Sequence, residues 1–141
     1  MQAKKLTPNL MVEKVNTSLE FYKMHLDAEV ILTVPTLGEF DFAILQIGET
    51  ELMLQSRNSL SEEIPDFQER TTGGSFTLYF EVEDIEACYK NLRGRVEMVQ
   101  DIHETFYGTR EFSFKDPNSY IIALSGKVES KDDEDADDDE I

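Results

Sequence analysis

Leu-Met-Val-Glu-Lys-Val, residues 10–15, returns 70 residues later inside Tyr-Phe-Glu-Val-Glu-Asp-Ile, residues 79–85. Val12 falls on Val82 and Glu13 on Glu83. Each Val-Glu is followed by a helix-like stretch that closes in Tyr-Lys, at Tyr22-Lys23 and at Tyr89-Lys90. The same 70-residue offset relates Ile47–Gln55 (IGETELMLQ) to Pro117–Ser125 (PNSYIIALS). A unit present twice means two similar modules that bury a shared core or enclose a cavity. The cavity is where function is to be sought.

The 141 residues make one ordinary domain or two small modules acting as one. With 40% hydrophobic residues the chain can bury a real core. No apolar run approaches a membrane span, and Met1–Lys5 lacks the apolar stretch of a signal peptide. A single cysteine, Cys88, excludes an internal disulfide framework and suits a reducing cytoplasm. It lies in a helical register and reads as a buried structural thiol. The formal charge is −17; residues 127–141 hold nine acids and two lysines, and the preceding 126 residues still carry 21 acids against 11 bases. That balance argues against nucleic-acid binding, which needs cations facing phosphates. It suits a cationic ligand, or simply a solvated acidic surface.

Hydrophobic periodicity predicts strands at 6–12, 29–34, 40–47 and 51–55, with a helix at 15–26 on Val15, Leu19, Tyr22 and Leu26 and a cap near Asn16, Thr17 or Ser18. The second round is a strand at 75–82, a helix at 85–92 and strands at 96–99, 110–114 and 120–124, the last two joined by a turn at Asp116–Ser119. Residues 57–74 are polar, contain Pro65 and end in paired glycines, and read as a connecting loop. Each module is thus β-α-β-β-β, over about 5–56 and 75–126. Residues 127–141 read as a disordered acidic tail.

Thr7–Leu26 (TPNLMVEKVNTSLEFYKMHL), its echo at 77–84 and Gly108–Tyr120 (GTREFSFKDPNSY) together resemble the vicinal-oxygen-chelate superfamily, which includes glyoxalase I, extradiol dioxygenases, fosfomycin-resistance enzymes and bleomycin-resistance proteins. The resemblance covers about residues 5–126 and is nearest to the metal-free, bleomycin-resistance type. Ser119 departs from it, since the family usually has glycine in that turn; Asn118 is expected to take the left-handed conformation instead. The resemblance implies an α+β fold of two tandem β-α-β-β-β modules whose curved mixed sheets surround a cavity, and a homodimer. In metal-using members the ligands come from the first and last strands of each module. Those positions fall here on Thr7, Met53, Thr77 and Ala123, none of which suits a divalent metal. No cofactor is therefore expected.

Strand alternation assigns the remaining faces. It puts Leu6, Leu10 and Val12 toward the helix and Thr7, Asn9 and Met11 toward the cavity, with Thr77, Tyr79 and Glu81 in the second module. Phe42, Ile44, Phe112 and Phe114 read as helix-side core. Asp41, Ala43, Glu111 and Ser113 then face inward, beside Glu51, Met53, Gln55, Ala123 and Ser125. Tyr107 reads as a rim residue, Phe40 and Phe106 as core, and Arg110 as one half of an ion pair. His25 reads as a helix-end residue near the dipole, and His103 as a residue in a loop, on the surface in preference to the alternative of reaching the cavity mouth. The candidate ligand-binding set is Thr7, Asn9, Met11, Asp41, Glu51, Met53, Gln55, Thr77, Tyr79, Tyr107, Glu111 and Ala123. No nucleophile with a base and no phosphate loop is present. The reading is a cytoplasmic, metal-free protein that sequesters a small, cationic, amphipathic molecule, with no nucleic-acid or membrane partner. Two alternatives remain open: a metal-dependent lyase, transferase or dioxygenase using atypical ligands such as Glu51 or Glu111, and an interaction module that works through its acidic tail.

Overall fold

A computed structural model describes residues 1–128. The chain divides into two compact units, the first made of Met1–Ser75 with Asp116–Tyr120, the second of Phe76–Lys115 with the chain from Ile121 onward. Each holds a four-stranded mixed sheet. The fold is α+β, with two tandem modules. Among the described residues no helix is long and apolar enough to cross a membrane.

Unit 1 contains β1 (Asn9–Val12), α1 (Val15–Leu26), β2 (Glu29–Val34), β3 (Phe42–Ile47), β4 (Thr50–Ser56) and α2 (Arg57–Glu63), then a 3-10 turn at Pro65–Glu69. The strand order is β1-β4-β3-β2, with β1 parallel to β4. Helix α1 follows the predicted spacing and buries Val15, Ser18, Leu19 and Tyr22. It stops at Asp27, whose φ of 53° turns the chain out of the helix. No side chain caps its start; Asn16 instead donates to the Gly38 carbonyl and accepts from the Phe40 amide. Helix α1 packs on β3 and β4. The face it covers carries Leu10, Val12, Ala43, Leu45, Leu52 and Leu54, all buried.

This corrects two face assignments. Ala43 pairs with Leu54 and Leu45 with Leu52, so Ala43 is core, whereas Phe42 and Ile44 share the opposite face with Gln55 and Met53. The sequence FAILQI is apolar on both parities, so size alone misleads; the leucines of β4 decide. Leu6, expected in the core, lies before the strand and is exposed.

The stretch expected to be a loop at 57–74 begins with a helix. Ser56 accepts from the Ser59 amide as a side-chain cap, and Leu60 gives α2 a buried anchor. Arg57 then holds the segment in place, donating through Nε and Nη2 to Glu13 Oε1 and through Nη1 to the Arg70 carbonyl.

Unit 1 is completed by the turn Asp116–Tyr120. Asp116 Oδ1 accepts from the amides of Asn118 (2.8 Å) and Tyr120 (2.9 Å), and Oδ2 accepts from the Tyr22 hydroxyl (2.7 Å). Asn118 accepts from the Glu13 amide and donates to Ser18 Oγ, while the Tyr120 hydroxyl donates to the Met11 carbonyl. Ser119, not Asn118, takes the positive φ, at 68°. Asn118 is committed to two hydrogen bonds and is 7% exposed, so the strained conformation falls to its solvent-facing neighbour.

Unit 2 contains β5 (Thr77–Glu81), α3 (Ile85–Leu92), β6 (Glu97–Glu104), β7 (Thr109–Lys115) and β8 (Ile121–Lys127), in the order β5-β8-β7-β6. Asp84 caps α3 through the Ala87 amide. Leu78, Phe112, Phe114, Ile122 and Leu124 form the buried face against Ile85 and Leu92. Gly126 allows the close approach of α3: a Cβ there would meet Ile85 Cβ at 2.8 Å. Cys88 is half-buried rather than fully buried. Strand β6 runs well past the predicted 96–99 and carries His103, expected in a loop. Strand β8 runs to Lys127, so the acidic stretch starts later than residue 127. Residues 129–141, most of the expected tail, lie outside the described residues.

The 70-residue repeat is visible in the registers. Asn9 pairs with Met53 in one sheet, and Tyr79 with Ala123 in the other. The turn that completes unit 1 yields a stability test. Tyr22→Phe leaves Asp116 Oδ2 without its donor inside the core. The expected loss is about 1–3 kcal/mol, seen as a lower urea midpoint with an unchanged slope.

Candidate functional site

In each sheet the face away from the long helix carries the expected site residues. In unit 1 alternation and pairing place Asn9, Met11, Glu51, Met53 and Gln55 together, joined by Leu32, Val34, Phe42 and Ile44, while Thr7 lies before β1 and outside the paired register. Met11 and Gln55 are buried, at the end where α2 packs on β1 and β4. Gln55 Oε1 accepts from Asn9 Nδ2 (2.9 Å), and Gln55 Nε2 donates to Ser59 Oγ and Glu63 Oε2. Its hydrogen-bonding capacity is used within the protein. Glu51 is paired with Lys5. Asp41 is a correction: it precedes β3 on the parity of Ala43 and is exposed, so it does not join this face. What remains open is an apolar shelf, since Leu32 and Val34 are about half exposed and Phe42, Ile44 and Met53 partly so.

In unit 2 the corresponding face carries Thr77, Tyr79 and Glu81 from β5, Glu111 and Ser113 from β7, and Ala123 and Ser125 from β8. These parities agree with the sequence reading. The centre of the group is Glu111. Its Oε2 accepts from the hydroxyls of Tyr79, Tyr107 (2.8 Å), Ser125 (3.0 Å) and Thr109 (3.1 Å). Among the described residues no donor reaches Oε1. Ser61 Oγ is the one fully buried side-chain polar atom there without a partner, so Oε1 is not sealed from solvent.

This arrangement fixes the charge. Burial raises the Glu111 pKa, but the hydroxyls of Tyr79, Tyr107, Ser125 and Thr109 outweigh it, and the carboxyl sits below its ordinary 4.5. Tyr79 responds in the opposite sense, pushed up to about 12, first by its hydrogen bond to Glu111. At neutral pH Glu111 is an ionised carboxylate accepting from these hydroxyls. Tyr79 and Tyr107 stay about half exposed, and Phe106 is 99% exposed. Phe106 therefore is not core: it sits at the tip of the β6–β7 hairpin, edge-on to Tyr107 at 4.9 Å. Phe40, also expected in the core, is partly exposed.

His103, outside the candidate set and expected in a surface loop, lies in a strand. It pairs across the strands with Glu111 and is half-buried. The signal was weak, because β6 reads EMVQDIHE and its register shifts twice, between Met98 and Gln100 and between Gln100 and His103. Arg110 forms the expected ion pair, with Glu86 at 2.5 Å and Glu104 at 4.0 Å. These residues line a separate cavity of about 460 Å³ near the start of α3, together with Glu83, Asp84 and Lys127. None of the expected site residues lines it.

The residues present do not fit a divalent metal. Thr7, Met53, Thr77 and Ala123 supply no imidazole and no carboxylate, and among the described residues no three His, Cys, Asp or Glu side chains converge. The hydroxyl bonds to Glu111 can be tested singly. Tyr79→Phe removes one of the bonds that lower the carboxyl, so the Glu111 pKa should move up toward 4.5, read by carboxyl ¹³C NMR titration. A value that stayed put would mean the hydroxyl contributes nothing.

Similarity to known proteins follows the fold. The family model of the glyoxalase-like domain matches residues 6–129. The uncharacterized protein YraH of Bacillus subtilis is 28% identical over 126 residues, which cover 86% of this chain and 96% of YraH. A glyoxalase/bleomycin resistance protein/dioxygenase from Nocardioides superposes with a TM-score of 0.72 at 19% identity, covering 92% of this chain and 87% of that one. The fosfomycin resistance protein FosX of Listeria monocytogenes superposes with a TM-score of 0.66 at 18% identity, covering 91% of this chain and 96% of that one.

Proposed function

Because the chain belongs to the glyoxalase-like domain family, we propose that it is a metal-free protein that binds and sequesters a small amphipathic cation. The observation that carries this reading is Glu111: an ionised carboxylate with one oxygen accepting from four hydroxyls and the other without a donor among the described residues, beside exposed aromatic rings. The hydroxyls hold the charge in place before a ligand arrives, so little reorganisation accompanies binding. Tyr79, Tyr107 and Phe106 add ring faces that attract cations. Glu81 adds a second negative charge on the same face, in register with Ser125. The acidic surface as a whole draws cations toward the protein.

Catalysis through a metal held by atypical ligands is the weaker reading. Glu51, one of the acids it could use, is already paired with Lys5, and among the described residues no three His, Cys, Asp or Glu side chains gather around Glu111. A homodimer in the cytoplasm belongs to the same proposal. The edge strand β2 exposes Val30, Ile31, Leu32 and Val34, and a second copy covering it would remove that apolar edge from water. The anionic substrates of a fosfomycin-resistance type of activity fit the carboxylate-centred face of unit 2 poorly.

Two measurements test this. Isothermal titration should show benzylamine binding while benzylphosphonate does not. Glu111→Gln should weaken the cation about 10–100-fold, the equivalent of one charge-assisted hydrogen bond of about 1.5–3 kcal/mol. Tight binding of the phosphonate would refute the charge assignment. Because the Glu111 carboxyl titrates below 4.5, cation binding should persist as pH falls to that value and fade only beneath it. Native mass spectrometry of the purified protein should show a dimer without added metal mass. A stoichiometric metal adduct would restore the enzymatic reading, and a monomer would remove the dimer.

A further inference from the structure

We propose that His103 and Glu111 form a two-point acceptor for a planar cation with at least two N–H donors, an amidinium or guanidinium carried on an apolar group. The inference rests on the cation-binding reading above and adds to it a second binding residue and the class of the ligand's head group.

His103 on β6 and Glu111 on β7 are direct cross-strand partners. Such partners project to the same face with Cβ atoms about 4.5–5.5 Å apart. His103 Nδ1 lies 2.9 Å from the carbonyl oxygen of Asp101. A carbonyl only accepts, so Nδ1 carries the proton, and in that tautomer of the ring Nε2 is left as the acceptor. Glu111 Oε1 is the second acceptor, since the bonds from Tyr79, Tyr107, Thr109 and Ser125 all end on Oε2. Two acceptors on neighbouring strands call for a ligand edge that presents two donors. A quaternary ammonium has none, and a tertiary one has a single N–H. The exposed rings of Tyr79, Tyr107 and Phe106 favour a flat, delocalised cation, because guanidinium-like groups stack on aromatic faces and are weakly hydrated.

The probes are benzamidine, benzylamine and benzyltrimethylammonium, which share an aromatic ring and a positive charge and differ in N–H donors. They are titrated into the full-length protein, His103→Phe and Glu111→Gln. His103→Phe keeps a flat ring but removes the acceptor nitrogen; far-UV circular dichroism and the melting temperature establish that each variant is folded. Wild type should bind benzamidine tightest and benzyltrimethylammonium weakest. His103→Phe should weaken benzamidine about five- to tenfold, the effect of one hydrogen bond, and leave benzyltrimethylammonium unchanged. Glu111→Gln should weaken all three. If Glu111→Gln weakens all three while His103→Phe affects none, or affects all alike, the two-point acceptor is wrong and the cation reading stands. If Glu111→Gln changes nothing, the cation reading itself falls and this inference falls with it. Should His103→Phe fail to fold, His103→Asn takes its place: its shorter amide loses the ring's acceptor, and the same selective loss of benzamidine is required.

Discussion

The buried hydrogen bond from the Tyr22 hydroxyl to Asp116 is the constraint around which unit 1 is organised. Asp116 is 5% exposed, and burial alone would push its carboxyl up and strip its charge. Tyr22 and the amides of Tyr120 and Asn118 oppose that. The turn they fix carries Asn118 to Ser18 and to the Glu13 amide, and Tyr120 to the Met11 carbonyl. One small turn thereby settles the start of α1, the end of β1 and the depth of Tyr22. Burial and the neighbouring Asp116 raise the Tyr22 pKa well above its ordinary value, which keeps the phenol neutral and donating at physiological pH. A carboxylate in that setting acts as a bracket, and it has no free oxygen to offer a ligand.

Much of this was legible in the chain because two independent patterns agreed. Helical spacing of Val15, Leu19 and Tyr22 set α1 to its observed ends, and Ile85 and Leu92 did the same for α3. The 70-residue repeat then predicted which strands would pair alike, and Asn9 with Met53 and Tyr79 with Ala123 occupy equivalent registers. Alternation failed where both parities were apolar. In β3, Phe42 and Ile44 look more like core than Ala43 does, but Leu52 and Leu54 on β4 bury Ala43 and Leu45. No reading of one strand alone contains that information; it lies in the pairing.

The other misses share a cause in local chemistry overriding composition. Residues 57–63 are polar, which reads as loop, yet a serine cap and one leucine suffice for two turns of helix against β1 and β4. Strand β6 is charged and irregular, so its second half showed no period, and the bulges that disrupt its register also bring His103 opposite Glu111. Residues that make a strand hard to recognise are here the ones placed beside the most polar point of the sheet. That is the pattern to be expected where local consistency gives way to a site.

The two carboxylates separate structure from function within one chain. Asp116 and Glu111 each accept several hydrogen bonds, and in both cases burial works against the charge. For Asp116 burial prevails and the carboxyl titrates above its ordinary value. For Glu111 the four hydroxyls prevail and it titrates below. The difference lies in what surrounds them: Asp116 shares its two oxygens among donors inside the core, whereas Glu111 concentrates its donors on Oε2 and leaves Oε1 to the solvent. Stability alone gives no reason to gather two tyrosines, a threonine and a serine around one oxygen of a solvent-reaching carboxylate, since each donor would hydrogen-bond water nearly as well. In the proposed reading such an arrangement gains its value when a positive group arrives at the other oxygen, because the charge it meets is already localised and oriented. Glu111 is thus the polar group on which the proposed cation-binding reading rests.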